Sequence, residues 1–326
     1  MAETSAIEWT DATVNFWWGC TKVGPGCDHC YAETFDKRTG GAHWGVGAPR
    51  RKIKGAVSLL HRLDNGYSEW NADFYAAQGN AEAFGLPAPT FGPRRRVFIQ
   101  SMSDLFDTEV PLDWFAEAWQ RIEICNRIAI QIVTKRVSVV EKRLAAIGGE
   151  TWPRHAGLII TVTNQAEADR DIPRLVALKR RFGIRWVGLS IEPMLGPIDL
   201  TPWLAEIEWV IVGGESGRDA RPMHPAWALA ILGQCQAVEV AFLFKQWGEW
   251  APHKPEPGGD LGGDIRAGRV VAVHPTGQSD EELFASTGRN TVPGTCYMRR
   301  IGKRAAGRRL AGRTHDAMPT AMWGAA

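Results

Sequence analysis

Along the chain, short apolar runs ending in polar residues alternate with longer stretches in which apolar residues recur every three or four positions. The runs are RVFIQSMSD, AIQIVTKR, GLIITVTNQ, RWVGLSIEP, WVIVGGESG and AFLFKQWGEW, with VNFWWGC as the candidate first strand. Between them the helical period predicts helices over Leu112 to Ile124, Val137 to Ile147, Ala166 to Phe182 and Pro225 to Val238. Continuous apolar strands alternating with helices imply right-handed βαβ units and a parallel sheet covered on both faces. Seven such strands predict an α/β chain built as a complete or partial (β/α) barrel of parallel strands, with a doubly wound sheet as the alternative.

The same pattern sets the expected organisation. Residues 1–250 read as one barrel-like domain interrupted at about 40–93 by an irregular, then partly helical and polar insertion. Beyond Trp250 the composition changes to APHKPEPGGDLGGDIRAG, a loop or linker. A strand-like RVVAVHP and a basic tail follow, so residues 251–326 read as a basic C-terminal extension packed on the barrel.

Composition narrows the function classes. The chain has 326 residues and 44% hydrophobic content, enough for a substantial core. It shows neither a basic leader followed by an apolar run nor a window approaching the ~18 to 20 apolar residues of a membrane span, which predicts a cytoplasmic protein with no membrane partner. Net charge is only +2, but cations cluster at Arg94-Arg95-Arg96 and again at Arg299, Arg300, Lys303, Arg304, Arg308, Arg309 and Arg313. These Arg-rich segments keep DNA or RNA in view as a partner.

In a parallel α/β architecture the connecting loops gather the functional groups at the carboxyl ends of the strands. Those ends carry Cys20, Asp104, Lys135 and Arg136, Asn164, Ser190 and Glu192, Gly213-Gly214-Glu215, and Lys245. Lys135, Arg136, Asn164, Glu192 and Lys245 are candidates for cofactor or substrate contacts, with Lys135, Glu192 and Lys245 the catalytic choices. Asp104, Glu192 and Glu215 would alternatively serve a hydrolase. Tryptophans Trp17, Trp18, Trp44, Trp247 and Trp250 lie near strand ends, where they either pack the rim or stack on a nucleotide base.

Six cysteines are too few for a disulfide scaffold in a chain this long, yet three fall within eleven positions as Cys20-x6-Cys27-x2-Cys30. Cys125, Cys235 and Cys296 read as ordinary thiols. The x2 spacing lets two thiolates reach one metal from a single turn, and Gly24-Pro25-Gly26 supplies the bend that brings back the first. A structural zinc site needs a fourth donor, for which His29 and His43 are the only neighbours, whereas three thiolates without a fourth suit a 4Fe-4S cluster with one open iron. Spacing alone leaves both open.

The segments IEWTDATVNFWWGCTKVGPGCDHCYAE, WVIVGGESG, FKQWG and RIGKRAAGRRLAGRTHDAMP, in this order, resemble the phage protein thirty-seven/sixty-eight family, a three-cysteine-motif family of unknown function. That family is similar to radical S-adenosylmethionine enzymes. The resemblance implies a (β/α) barrel, a 4Fe-4S cluster on Cys20, Cys27 and Cys30, S-adenosylmethionine at the fourth iron, and an electron donor. It further implies that His29 packs near the adenine, and that Gly213, Gly214 and Glu215 meet the methionine amino group. Two departures stand out: the first cysteine gap is six where the enzymes usually have three, and the Gly-Gly-Glu element ends about the sixth strand instead of the second. The implied reaction is reductive cleavage to a 5′-deoxyadenosyl radical, with a nucleic-acid base or nucleotide as the favoured substrate and a zinc-stabilised nucleic-acid-binding protein as the alternative.

Overall fold

The computed structural model of the chain describes residues 1–254, 261–287 and 292–323. Part of the linker read after Trp250 and the last residues of the extension lie outside the described residues. Six of the seven predicted strands form, and the first place is taken by β1 (Ala12–Val14): after a two-stranded ladder of β2 (Trp17–Trp18) and β3 (Arg51–Lys52) come β4 (Arg96–Ile99), β5 (Ala129–Thr134), β6 (Ala156–Thr161), β7 (Val187–Ile191), β8 (Trp209–Gly213) and β9 (Ala241–Gln246). They make one sheet in the order β1-β4-β5-β6-β7-β8-β9. Ala12 pairs Val97, Arg96 pairs Ala129 and Ile130 pairs Ala156, all in parallel register. This is an α/β partial barrel of parallel strands.

Two expectations are corrected. VNFWWGC is not one strand: Val14 ends β1, and Trp17 and Trp18 pair antiparallel with Lys52 and Arg51. Side-chain amides replace the ladder where it stops. Asn15 Nδ2 donates to Ser101 Oγ at 2.9 Å, Asn15 Oδ1 accepts from Met102 N at 2.7 Å, and Gln100 Oε1 accepts from Phe16 N at 2.8 Å. The stretch read as a polar insertion is also half scaffold. After α1 (Tyr31–Arg38), helix α2 (Ala56–Asn65) buries Leu59, Leu60 and Leu63, whereas α3 (Tyr67–Phe84) buries no residue. Helix α2 packs against β1 and against α4 (Leu112–Ile124), and it lies in the β1-to-β4 crossover. Its apolar stripe is only one turn-pair long, so it disappears in a window dominated by the polar α3.

The remaining helices follow the sequence period: α5 (Val140–Ala145) behind a 3-10 turn at Val137–Val139, α6 (Gln165–Phe182) and α7 (Pro225–Ala237). The described chain divides into two compact units. The first comprises Met1–Ile160, Pro173–Gly188 and the segment from Met318; the second comprises Thr161–Ile172 and Leu189–Ala317. In the first, Phe106, Phe115, Trp119 and Trp152 form an aromatic core, with Trp119 and Trp152 edge to face at 5.1 Å. In the second, fully buried Trp209 and Phe244 lie on adjacent strands, and the Trp209 indole donates to Ala317 O at 2.9 Å. This unit also contains the extension as far as Ala317, whose strands β10 (Trp250–His253), β11 (Val270–Val273) and β12 (Cys296–Arg300) form an antiparallel sheet in the order β10-β12-β11. No helix among the described residues is long and apolar enough to cross a membrane.

Of the first basic run, Arg96 is buried against Asp11, with Nε donating at 2.9 Å and Nη2 at 2.5 Å, and Arg95 stacks over Trp70 at 4.9 Å. Both serve the fold. Gly157, in β6, has no room for a side chain, because a Cβ there would sit 2.0 Å from the Trp186 ring. Gly157→Ala is therefore expected to cost about 2–3 kcal/mol by overpacking, read as a lower urea midpoint with an unchanged slope.

Candidate functional site

The three clustered cysteines lie in the first unit, on the loop that leaves β2 and enters α1. Gly19 starts it with φ of +107°, and a Cβ there would meet His43 O at 2.4 Å, so only glycine lets the chain pass. Gly19 N donates to Met102 O at 3.3 Å and Ser103 Oγ to Trp17 O at 3.0 Å, which fixes Cys20 beside the exit of β4. Pro25–Cys27 forms a 3-10 turn, and Cys30 is the residue capping α1. All three cysteines are free thiols and half-buried, and His29 is half-buried between two of them.

The wide first gap folds back on itself. Lys22 Nζ donates to Asp28 O at 2.8 Å and lies 3.2 Å from Glu33 on α1, so the strand end and the helix start are clamped across the intervening loop. Thr21 is held from the other side: its hydroxyl donates to Glu109 at 2.8 Å and accepts from Arg50 Nη2 at 2.7 Å.

Beneath Cys20 is a buried charge network that sequence reading only partly anticipated. Arg50 Nε donates to Asp107 Oδ2 at 2.8 Å, with side chains 1% and 0% exposed. Arg136 Nη2 lies 3.5 Å from Asp107 Oδ1, donates to Thr21 O at 2.8 Å, and stands 3.8 Å from Cys20 Sγ. Its Nε is buried without a partner among the described residues. Asp104 accepts from Thr134 Oγ1 at 2.8 Å, Phe106 N at 2.9 Å and Lys135 N at 2.9 Å. Burial pushes the Asp104 carboxyl up, opposed by the Arg136 guanidinium and those donors. Burial, reinforced by the Asp104 charge, pushes the Cys20 thiol up to about 12, while Arg136 draws it down. Lys135, a catalytic choice from the sequence, is half-buried at the end of β5 with its backbone engaged by Asp104. Arg50, Asp107 and Lys22 were missed because no local spacing links them to the cysteines.

Three free thiols lie on one clamped loop, one of them facing a guanidinium; thiolates are the donors that iron-sulfur clusters use, each binding a different iron. A single zinc ion requires all its donors to converge on one point. Among the described residues no group of three or more His, Cys, Asp or Glu side chains is gathered to hold one ion.

The other sequence choices lie in the second unit. At the carboxyl ends of β7 and β9, Glu192 Oε1 and Lys245 Nζ pair at 3.0 Å, with side chains 14% and 19% exposed. Gly213, ending β8 between them, makes room: a Cβ there would meet the Glu192 carboxylate at 2.7 Å. At Gly214 a Cβ would come 1.9 Å from Trp247 O. Glu215 is held by Arg221, which donates through Nε at 2.8 Å and Nη2 at 2.6 Å. Asn164 Oδ1 accepts from Glu167 N at 2.9 Å in the first turn of α6, while Glu167 returns to Thr163 N at 2.8 Å, a reciprocal cap. Ser190 is buried in β7. The base-stacking option fails for three of the tryptophans: Trp17, Trp247 and Trp250 are buried, the last two donating their indole N–H to Arg309 O at 2.9 Å and Ala220 O at 2.7 Å.

Over residues 4–319 the chain matches the family described as a protein of unknown function, DUF5131. No curated protein matches it. Among solved structures it is similar to a spore photoproduct lyase double mutant with bound AdoMet and dinucleoside spore photoproduct, at 12% identity and a TM-score of 0.37, covering 92% of this chain and 71% of that one. A single mutant of the same lyase gives 11% identity and 0.36 over the same shares. The lyase complexed with dinucleoside spore photoproduct gives 12% and 0.33, covering 65% of this chain and 58% of that one. At these TM-scores the likenesses carry no argument about this chain.

Two outcomes test the network under the loop. Asp107→Ala, which leaves Arg50 with only the half-buried Glu109 at 3.3 Å and removes the carboxylate facing Arg136, is expected to cost about 3 kcal/mol in urea unfolding. Cys20, protonated at every pH below its raised value, is expected to stay unalkylated by iodoacetamide at about pH 8 in the folded protein and to react once urea unfolds it, read by peptide mass spectrometry.

Proposed function

The chain belongs to the DUF5131 family, and we propose that it works as a radical S-adenosylmethionine enzyme with a 4Fe-4S cluster on Cys20, Cys27 and Cys30. The observation that carries this reading is the folded-back cysteine loop: Lys22 joins Asp28 and Glu33 across the six-residue gap that set this sequence apart from the usual spacing. When bound, such a cluster passes on one electron from an external donor to break the S–C5′ bond of S-adenosylmethionine, giving methionine and a 5′-deoxyadenosyl radical that takes hydrogen from the substrate.

The chain's own residues have separable parts in this. Cys27, ending the 3-10 turn, and Cys30, capping α1, would offer their thiols from one side and Cys20 from the strand side. Arg136 places a positive charge near Cys20 that favours the deprotonated, ligating form. Asp104 and Asp107 hold Arg136 in place. The half-buried position of His29 beside Cys30 suits a packing contact with an adenine ring. In the second unit the pair Glu192 and Lys245 is our choice for contact with a polar group of cofactor or substrate, since both side chains keep some exposure and can exchange a proton with each other or with a bound group. Gly213 makes room for Glu192, and we assign Asn164, Ser190, Gly214 and Glu215 to further cofactor contacts. We assign the substrate to nucleic-acid bases or nucleotides, and the phage three-cysteine resemblance to the four motifs that carry it.

Anaerobic reconstitution with iron and sulfide tests the reading. The expected protein is brown, binds about four irons per chain, gives an electron paramagnetic resonance signal that changes on adding S-adenosylmethionine, and releases 5′-deoxyadenosine under reductant. Cys20→Ala, Cys27→Ala and Cys30→Ala together are expected to abolish all four. A colourless protein that holds one zinc and releases no 5′-deoxyadenosine overturns the proposal in favour of a zinc-stabilised binding protein.

A further inference from the structure

The C-terminal basic segment is the strongest feature that the cysteine chemistry leaves unused. Residues 302–313 read GKRAAGRRLAGR, in which Gly302, Gly307 and Gly312 recur every five positions, each with positive φ of 86°, 69° and 80°. Each of the first two glycines is followed by two cations, the third by one.

The segment is fixed to the second unit by its backbone. Ile301 N and Gly302 N donate to Glu249 O at 3.1 and 3.0 Å, Trp247 N donates to Gly307 O at 3.1 Å, and the Trp247 indole donates to Arg309 O at 2.9 Å. Further on, Phe244 N donates to His315 O at 3.0 Å, so the chain lies along β9. The segment therefore sits beside the carboxyl end of the strand that carries Lys245.

Its cations divide into two sets. Arg299 lies 3.5 Å from Asp264, Arg300 donates to Gly217 O at 2.8 Å and to Arg218 O, and Arg308 pairs with Asp316. Lys303, Arg304, Arg309 and Arg313 are exposed and have no acidic partner among the described residues. Lys303 and Arg304 line an open groove of about 580 Å³ together with Ile301, Gly302 and Ala305.

We propose that Lys303, Arg304, Arg309 and Arg313 form a preformed binding surface for the phosphodiester backbone of a nucleic acid. Four cations within eleven residues, held by a hydrogen-bonded backbone and not neutralised by carboxylates, match a row of phosphates, and the loop is already ordered before the ligand arrives. A membrane surface fits less well, because Ile301 is the only large exposed apolar side chain from 301 to 323 and the helix there, Lys303–Ala306, is a single turn without an apolar face. The inference extends the substrate class proposed above. Its test uses full-length protein purified in air without a cluster, so its failure and that of the cluster reading are distinguishable.

Fluorescence anisotropy with a labelled single-stranded 20-mer (about 20 nucleotides, longer than one typical ssDNA site) and its duplex, over a salt series, is the measurement. Four phosphate contacts predict a slope of log affinity on log salt of roughly −3 for the single strand. Lys303→Gln, Arg304→Gln, Arg309→Gln and Arg313→Gln combined should flatten that slope to near zero and weaken binding at least tenfold at low salt, with an unchanged thermal melting profile. Replacing the three arginines by lysine should keep the slope, since each phosphate contact needs only a positive charge. Equal binding by wild type and the glutamine variant overturns the proposal, and so does binding to anionic phosphatidylserine vesicles without binding to either oligonucleotide. If the glutamine variant melts early, single glutamine variants decide in its place, each expected to lower the slope by about 0.7.

Discussion

The buried ion pair between Arg50 and Asp107 is the constraint on which the cysteine loop depends. Neither side chain reaches water, so each charge has lost its hydration and is tolerable only with opposite charge against it: Asp107, with Glu109 at 3.3 Å, for Arg50, and Arg50 with Arg136 for Asp107. Arg50 then has donors left over, and it directs them to His43 O, Gly45 O and Ala48 O and to the Thr21 hydroxyl. One guanidinium thus organises the irregular Gly-rich stretch after α1 and ties it to the residue beside Cys20. His43 is fixed again by Asp36, which accepts from its backbone at 3.0 Å and meets its ring at 2.7 Å. A stretch with little secondary structure is ordered by side-chain-to-backbone bonds where no ladder or helix is present to do it.

Asp107 also faces Arg136, and through it the network reaches Cys20. The result is a thiol in a setting of mixed sign. Burial and two carboxylates favour its neutral form, and a guanidinium favours the thiolate. Such a thiol is unreactive by itself and becomes a ligand when a cationic centre supplies the charge that the surroundings lack. Cys27 and Cys30, carried on a turn and a helix cap, do not share this buried network.

The second unit solves a different packing problem. Its strand ends bring a carboxylate and an amine to within 3.0 Å, and absence of side chains at Gly213 and Gly214 is what lets neighbouring groups approach so closely. The Gly-Gly-Glu run is accounted for by this packing and by the Arg221 clamp on Glu215. The same unit holds the basic segment rigid through Trp247, whose backbone and indole both bind it.

Sequence period alone determined six of the seven parallel strands and most helices between them, because burial on both faces writes long apolar runs and amphipathic stripes directly into the chain. It also placed Cys20, Cys27 and Cys30 on one short loop, since they fall within eleven positions. It did not reveal that VNFWWGC breaks in two, because the break is made by Asn15 and Gln100 bonding across some 85 positions. Nor did it reveal α2 as a crossover helix, whose short stripe is diluted by its polar neighbour. Arg50 with Asp107, Glu215 with Arg221, and the division of the tail's cations into paired and unpaired were decided only by tertiary structure. A charge's role depends on which opposite charge the fold sets against it, and that pairing leaves no periodic mark in a sequence.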